Sequence, residues 1–167
     1  MADEVLPATG AVSAGVAVPP EALWPFVSDP SMPARFSSEL VEAAFVDGGT
    51  ARVGAEIEGR NESGTFSWTT RSTVVDCVEP SLFRWATGGA DEPGATWSLE
   101  VAPASGGSTL THRVVLHEGR APLGPAIAAE PERAREIVDG RMAIVLENMR
   151  RVVEGISALA EGTAAQR

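Results

Sequence analysis

The sequence predicts an α+β domain: a curved antiparallel sheet of six to seven strands wrapped around one long C-terminal helix. Two short helices are expected after the first strand. Three observations predict this. Between Glu132 and Glu161, apolar residues recur in steps of four and three, at Val138, Met142, Val145, Met149, Val152, Ile156 and Leu159. At about 100° per residue these positions lie on one side of a helix. From Glu39 to Leu116 the apolar period is instead two, interrupted by Gly, Pro, Asn and Asp clusters, the pattern of an antiparallel meander. With 167 residues and 44% apolar content, one domain holding a core, or a core and a cavity, is expected.

The first strand is read from Val12, Ala14, Val16 and Val18. Pro19-Pro20 ends it and primes a helix from Glu21 to Val27. Ser28-Asp29-Pro30 breaks that helix, and Ser31 to Ser38 can form a second short one with Met32 and Phe36 inside. Strands follow at Val41–Phe45, Val53–Gly59, Thr65–Val78, Phe83–Ala86, Trp97–Val101 and Leu110–Leu116. Asp47-Gly48-Gly49 supplies a hairpin-type turn after the first of these. Gly119 to Pro125 reads as irregular, and Ala126 to Glu130 as an extra turn.

In the last helix Leu146 and Val153 widen the apolar stripe, while Asp139, Glu147, Arg150, Arg151, Glu154 and Glu161 take the other side. Pro131 fits its first turn and Gly162 its stop. About 28 residues would span about 42 Å, long enough to cross a small domain. Steps of four and three also fit a heptad seam. Gly140 and Gly155, and a wide Met-bearing stripe, favour packing on the chain's own sheet. The expected organisation is a flexible segment 1–10, one domain over 11–161 and a flexible tail over 162–167.

Composition narrows the partners. A net charge of −10 argues against nucleic acid and against an anionic membrane surface. The 13 basic residues are all Arg and Tyr is absent, which excludes Schiff-base lysine chemistry. Cys77 is the single cysteine and, in an apolar strand pattern, reads as a buried thiol. The acidic opening has no signal-peptide pattern, and no run of 18 apolar residues occurs, so a cytoplasmic protein without a membrane span is expected. Two histidines without paired cysteines make no metal motif, and no glycine-rich nucleotide loop is present. No cofactor is expected.

Inward candidates alternate between bulky (Phe45, Phe83, Trp85, Trp97) and small (Ala43, Ala55, Gly59). Such uneven walls leave a void more readily than uniform ones, and Met32, Met142 and Met149 can repack around guests. Several local features carry a resemblance: Val18-Pro19-Pro20-Glu21-Ala22-Leu23-Trp24 with Asp29-Pro30, then Gly59-Arg60-Asn61 with Gly64 and Trp68. Further along come Glu79-Pro80 with Phe83 and Trp85, Gly106-Gly107-Ser108-Thr109-Leu110-Thr111, and Met142 with Leu146-Glu147. Through these the chain resembles the SRPBCC superfamily, the START-related helix-grip proteins, and within it the polyketide cyclase/dehydrase-like branch. The resemblance spans roughly Ala11 to Glu161 and implies the helix-grip fold.

His112 falls in the apolar register with Leu110, Val114 and Leu116. It is therefore a candidate acid–base group for aldol closure or dehydration, or a core histidine bonded to a neighbour. The resemblance to aromatic-forming cyclases implies a cavity Arg on the strand that holds Arg71. Strict alternation, however, places Trp68 and Arg71 on opposite faces unless a bulge intervenes. The absence of Tyr departs from cyclases that place a phenol in the cavity. Asn61, in register with Ile57 and Gly59, can donate to a ligand carbonyl or stabilise the turn. The expected ligand wall is Met32, Phe36, Ile57, Asn61, Trp68, Phe83, Trp85, Trp97, Met142, Val145, Leu146 and Met149. Arg35, Glu39 and Arg141 are assigned to the cavity mouth or the surface, Asn148 to the edge of the stripe, and His117 to solvent. The function expected is binding of a small apolar or polyketide-like molecule, with cyclisation or dehydration left open. The alternatives are a lipid or metabolite carrier, or an interaction module whose patch would be Phe66, Trp68 and Val74 if the face they share is the outer one; a homodimer is left open.

Overall fold

The computed structural model describes residues 5–118 and 123–167. One antiparallel sheet holds β1 (Ala8–Val16), β2 (Leu40–Phe45), β3 (Glu56–Ser63), β4 (Phe66–Val78), β5 (Leu82–Thr87), β6 (Ala95–Ala104) and β7 (Gly107–Leu116). Its order, β1-β7-β6-β5-β4-β3-β2, is a meander whose last strand pairs with the first. The helices are α1 (Pro20–Val27), α2 (Leu123–Ala129) and α3 (Ala134–Ala165). The chain thus has the helix-grip arrangement, a curved sheet against one long terminal helix.

The period-two reading holds where it positions the site. Burial along β3 alternates strictly, with Ile57, Gly59 and Asn61 buried and Glu56, Glu58 and Arg60 exposed. Earlier, strand formation starts three residues later than expected. Gly54 adopts φ +86°, and Val53 is left 59% exposed. The second short helix shrinks to one 3-10 turn at Pro33–Arg35. Ser37 Oγ accepts from the backbone N–H groups of Glu39 (3.1 Å) and Leu40 (3.0 Å), and this turns the chain into β2. The irregular Gly119 to Pro125 stretch lies partly outside the described residues, and α2 begins at Leu123.

α3 passes through Gly162 to Ala165. Glycine ends a helix when the next residue must take a left-handed conformation, and Gly162 shows no positive φ. Ala164 and Ala165, strong helix formers, continue the helix instead. α3 packs on β1, β7 and α1. At β1, Gly10 lies so close beneath Leu146 and Met142 that an added Cβ would approach them at 2.8 and 3.0 Å. The apolar core is split. One cluster joins Leu23, Val27, Phe83, Leu110, Val152 and Ile156; the other joins Leu6, Val114, Leu116, Val138, Val145 and Met149.

Candidate functional site

A cavity of about 380 Å³ lies between the sheet and α3. Strand pairing orders its wall. Trp68 stands opposite Asn61, Ser72 opposite Thr87, and Val74 opposite Trp85. Trp85 in turn faces Trp97, Phe83 faces Leu99, and Leu99 faces His112. The cavity runs from the Asn61–Trp68 row to the rings of Trp85, Trp97 and His112, with different polar groups at its two ends.

At one end His112 is 3% exposed. Its ring centroid lies 6.1 Å from that of Trp85 and 6.0 Å from that of Trp97. Neither ring nitrogen has a hydrogen-bond partner among the described residues. Buried unpaired polar atoms are uncommon because each costs about 1–3 kcal/mol in lost hydration. Desolvation pushes the imidazole pKa from 6.5 down to about 4, so the ring is neutral at pH 7, with one donor and one acceptor nitrogen. The reading of His112 as a core histidine bonded to a neighbour does not hold.

At the other end stand Asn61, Trp68 and the mouth. Asn61 is buried, and its Nδ2 reaches Thr70 Oγ1 only at 3.5 Å, a marginal bond. The bulge in β4 falls between Val74 and Asp76, beyond both Trp68 and Arg71. Alternation is intact between these two residues, so Trp68 lines the cavity and Arg71 turns outward. The Arg71 guanidinium meets Glu58 at 3.0 Å and Glu56 at 3.6 Å, with its side chain 54% exposed. This corrects the candidate cavity role of Arg71. Exposed pairs of this kind contribute about 0–1 kcal/mol. Arg71→Ala is therefore expected to change ligand affinity less than twofold, measured by the same titration as the parent.

The same register corrects the outer patch. Phe66, Trp68 and Val74 belong to the inner face, with Val74 fully buried and Phe66 67% exposed and stacked on Trp68 at 5.5 Å. Of the expected wall, Ile57, Asn61, Trp68, Phe83, Trp85, Trp97, Val145 and Met149 do line the cavity. Met32 packs in the first core cluster. Phe36 lies over Gly155, where a Cβ would sit 2.4 Å from its ring, and Met142 and Leu146 cover Gly10. These four are packing residues.

Other wall positions went unpredicted. Thr70 and Ser72 line the cavity and were legible in principle, being two and four residues beyond Trp68 in an unbroken strand. Ser72 Oγ pairs with Thr87 Oγ1 at 2.8 Å. Glu39 and Arg141, assigned to the mouth or the surface, border the cavity, as does Asn148, assigned to the edge of the stripe. Asn148 Oδ1 accepts from the Ser38 backbone N–H (2.8 Å) and hydroxyl (3.0 Å), and so ties α3 to the segment before β2. His117, expected in solvent, is half-buried and bonds Thr96 Oγ1 at 2.9 Å. Cys77 is also half-buried, with burial and then Glu79 pushing its thiol pKa up. Among the described residues no acidic, His or Cys cluster could hold a metal, and no helix is long and apolar enough to cross a membrane.

Comparison with solved structures agrees with this architecture. A polyketide-cyclase-like protein of Corynebacterium glutamicum superposes with a TM-score of 0.66 at 20% identity, covering 100% of this chain and 98% of that one. A Mycobacterium smegmatis protein gives 0.63 at 20% identity, covering 93% and 92%. The di-domain ARO/CYC from the steffimycin biosynthetic pathway gives 0.76 at 14% identity, covering 96% of this chain and 53% of that one. No curated protein matches the chain in sequence. At the level of sequence, residues 7–154 match the family described as polyketide cyclase / dehydrase and lipid transport, and the chain belongs to that family.

Proposed function

We propose that this protein binds a small, mostly apolar molecule, polyketide-like in carrying spaced oxygens, in the cavity beneath α3. The observation that carries the reading is His112, an imidazole with two unpaired nitrogens at the buried end of a mostly apolar space. Neither nitrogen is exposed to the empty cavity. A ligand hydroxyl or carbonyl that displaces the flanking Trp85 or Trp97 ring would therefore reach a nitrogen the protein leaves unbonded and recover part of the hydration cost. Asn61 offers a second contact, and Trp68, Trp85 and Trp97 supply the apolar walls. A lone cysteine fits action in a reducing compartment, and a cytoplasmic site is part of this reading.

Turnover is the second reading, favoured by the family and by the likeness to ARO/CYC proteins. In an aldol closure the unprotonated His112 nitrogen would take an α-proton, the carbanion would attack a carbonyl carbon, and the proton would return to the new alkoxide. The pKa of about 4 weighs against this in the empty cavity. At pH 7 only about one imidazole in a thousand carries a proton, and a base that weak transfers protons poorly. Binding with His112 as a hydrogen-bonding contact is thus the better supported function.

The test is a fluorescence titration with a hydroxyanthraquinone such as emodin. Saturable one-to-one quenching of the three cavity tryptophans is expected. Linear, unsaturable quenching would overturn the binding reading. Protein-dependent appearance of a ring-closed product from a linear β-polyketone, lost in His112→Leu, would establish turnover.

A further inference from the structure

The mouth of the cavity holds a charged pair with donors to spare. Arg141, on α3, and Glu39, just before β2, both border the space. Their side chains are 28% and 15% exposed. The contact is unusual in form. Nη1 alone donates to both carboxylate oxygens, at 2.7 and 2.8 Å, where the common fork would use two nitrogens. Among the described residues Nε and Nη2 of Arg141 have no hydrogen-bond partner, which leaves three of its five N–H donors for something else.

Charge decides what that is. The titratable residues bordering the cavity are Asp29, Glu39, Arg71, Arg141 and His112. Arg71 points outward into Glu58 and Glu56, and His112 is neutral at pH 7. Two carboxylates therefore stand against one inward guanidinium, and Glu39 already balances that guanidinium. A ligand carboxylate would meet no uncompensated positive charge and would lie close to Glu39. A neutral acceptor oxygen can take the free N–H donors without that repulsion.

Position adds the rest. Glu39 O accepts from Glu62 N at 2.8 Å, so the pair sits beside the Asn61–Trp68 row, at the opposite end from His112. There Trp68, stacked on the exposed Phe66, forms one wall. Resting on the cavity-binding reading, we infer that Arg141 forms a second polar subsite, selective for a neutral carbonyl oxygen such as an ester, thioester, amide or ketone at the outer end of the ligand. The preferred ligand is then apolar in the middle, oxygenated at both ends and uncharged.

The experiment compares 4-(1-pyrenyl)butanoic acid, ionised at pH 7, with its methyl ester, by quenching of the cavity tryptophans. In the parent protein the ester is expected to bind at least fivefold more tightly than the acid. Arg141→Met should remove most of the preference that the mouth adds, measured against the acid-to-ester ratio for binding to plain detergent micelles. Glu39→Gln keeps Arg141 and releases its charge, so here the preference should reverse toward the acid. Thermal melts of both variants show whether the fold is intact, and because the two changes act in different directions, loss of one variant leaves the other decisive. Equal binding of acid and ester, tighter binding of the acid by the parent, or no reversal in Glu39→Gln would each overturn the subsite. If the parent bound neither pyrene compound, the cavity-binding reading would fail and the subsite with it.

Discussion

His112→Leu is expected to make the protein more stable and a poorer binder. Leucine fills a similar volume and has no polar atoms to desolvate, so unfolding at pH 7 should cost about 1–3 kcal/mol more than in the parent. Affinity for an oxygenated guest should fall about tenfold, as one hydrogen bond is lost. Acid supplies a second readout. The folded-state pKa of about 4 lies below the ordinary 6.5, so on acidification the unfolded chain takes up a proton that the folded chain refuses. No penalty exists above about pH 6.5. It grows as pH falls and is complete near pH 4, at about 3 kcal/mol. The parent should lose this stability across that window, and His112→Leu should lose correspondingly less. Denaturant melts from pH 7.5 to 4 measure both. Equal acid slopes in the two proteins would mean that His112 is hydrated or paired in solution.

Gly107→Ala is expected to be the most damaging single methyl group. A Cβ at Gly107 would sit 2.0 Å from the carbonyl oxygen of Val16 and 3.0 Å from the Cα of Ala17. These are backbone atoms and cannot swing aside as a side chain can. The neighbouring contacts make relaxation harder, since Ser108, next along β7, pairs with Val16 and its hydroxyl donates to Val18 O at 2.7 Å. Separating β1 from β7 here strains the junction where the first strand closes the sheet. A loss of about 3 kcal/mol or more, on the scale of severe steric substitutions, corresponds to a melting point lower by about 10 °C. A shift under about 2 °C would show that the junction yields. The neighbouring glycine differs in cause: Gly106 has φ +77° and an open Cβ direction, so substitution there meets backbone strain rather than collision.

Much of this protein can be read directly from residue order. Periodicities of two and 3.6 are imposed by backbone geometry, so they mark which side chains share a face wherever a segment is regular. That sufficed for the meander, for the terminal helix, for His112 facing inward and for the opposition of Trp68 and Arg71. What periodicity cannot supply is distance between elements. Met142 and Leu146 lie on the same helix face as Val145 and Met149, yet the first two press on Gly10 while the other two border the empty space. The location of the bulge past Val74, the absence of any partner for His112 and the one-nitrogen grip of Arg141 on Glu39 likewise depend on segments far apart in the chain. Local order assigns faces, and only the three-dimensional closure of β1 onto β7 beneath α3 decides which of those faces meet and where a gap remains.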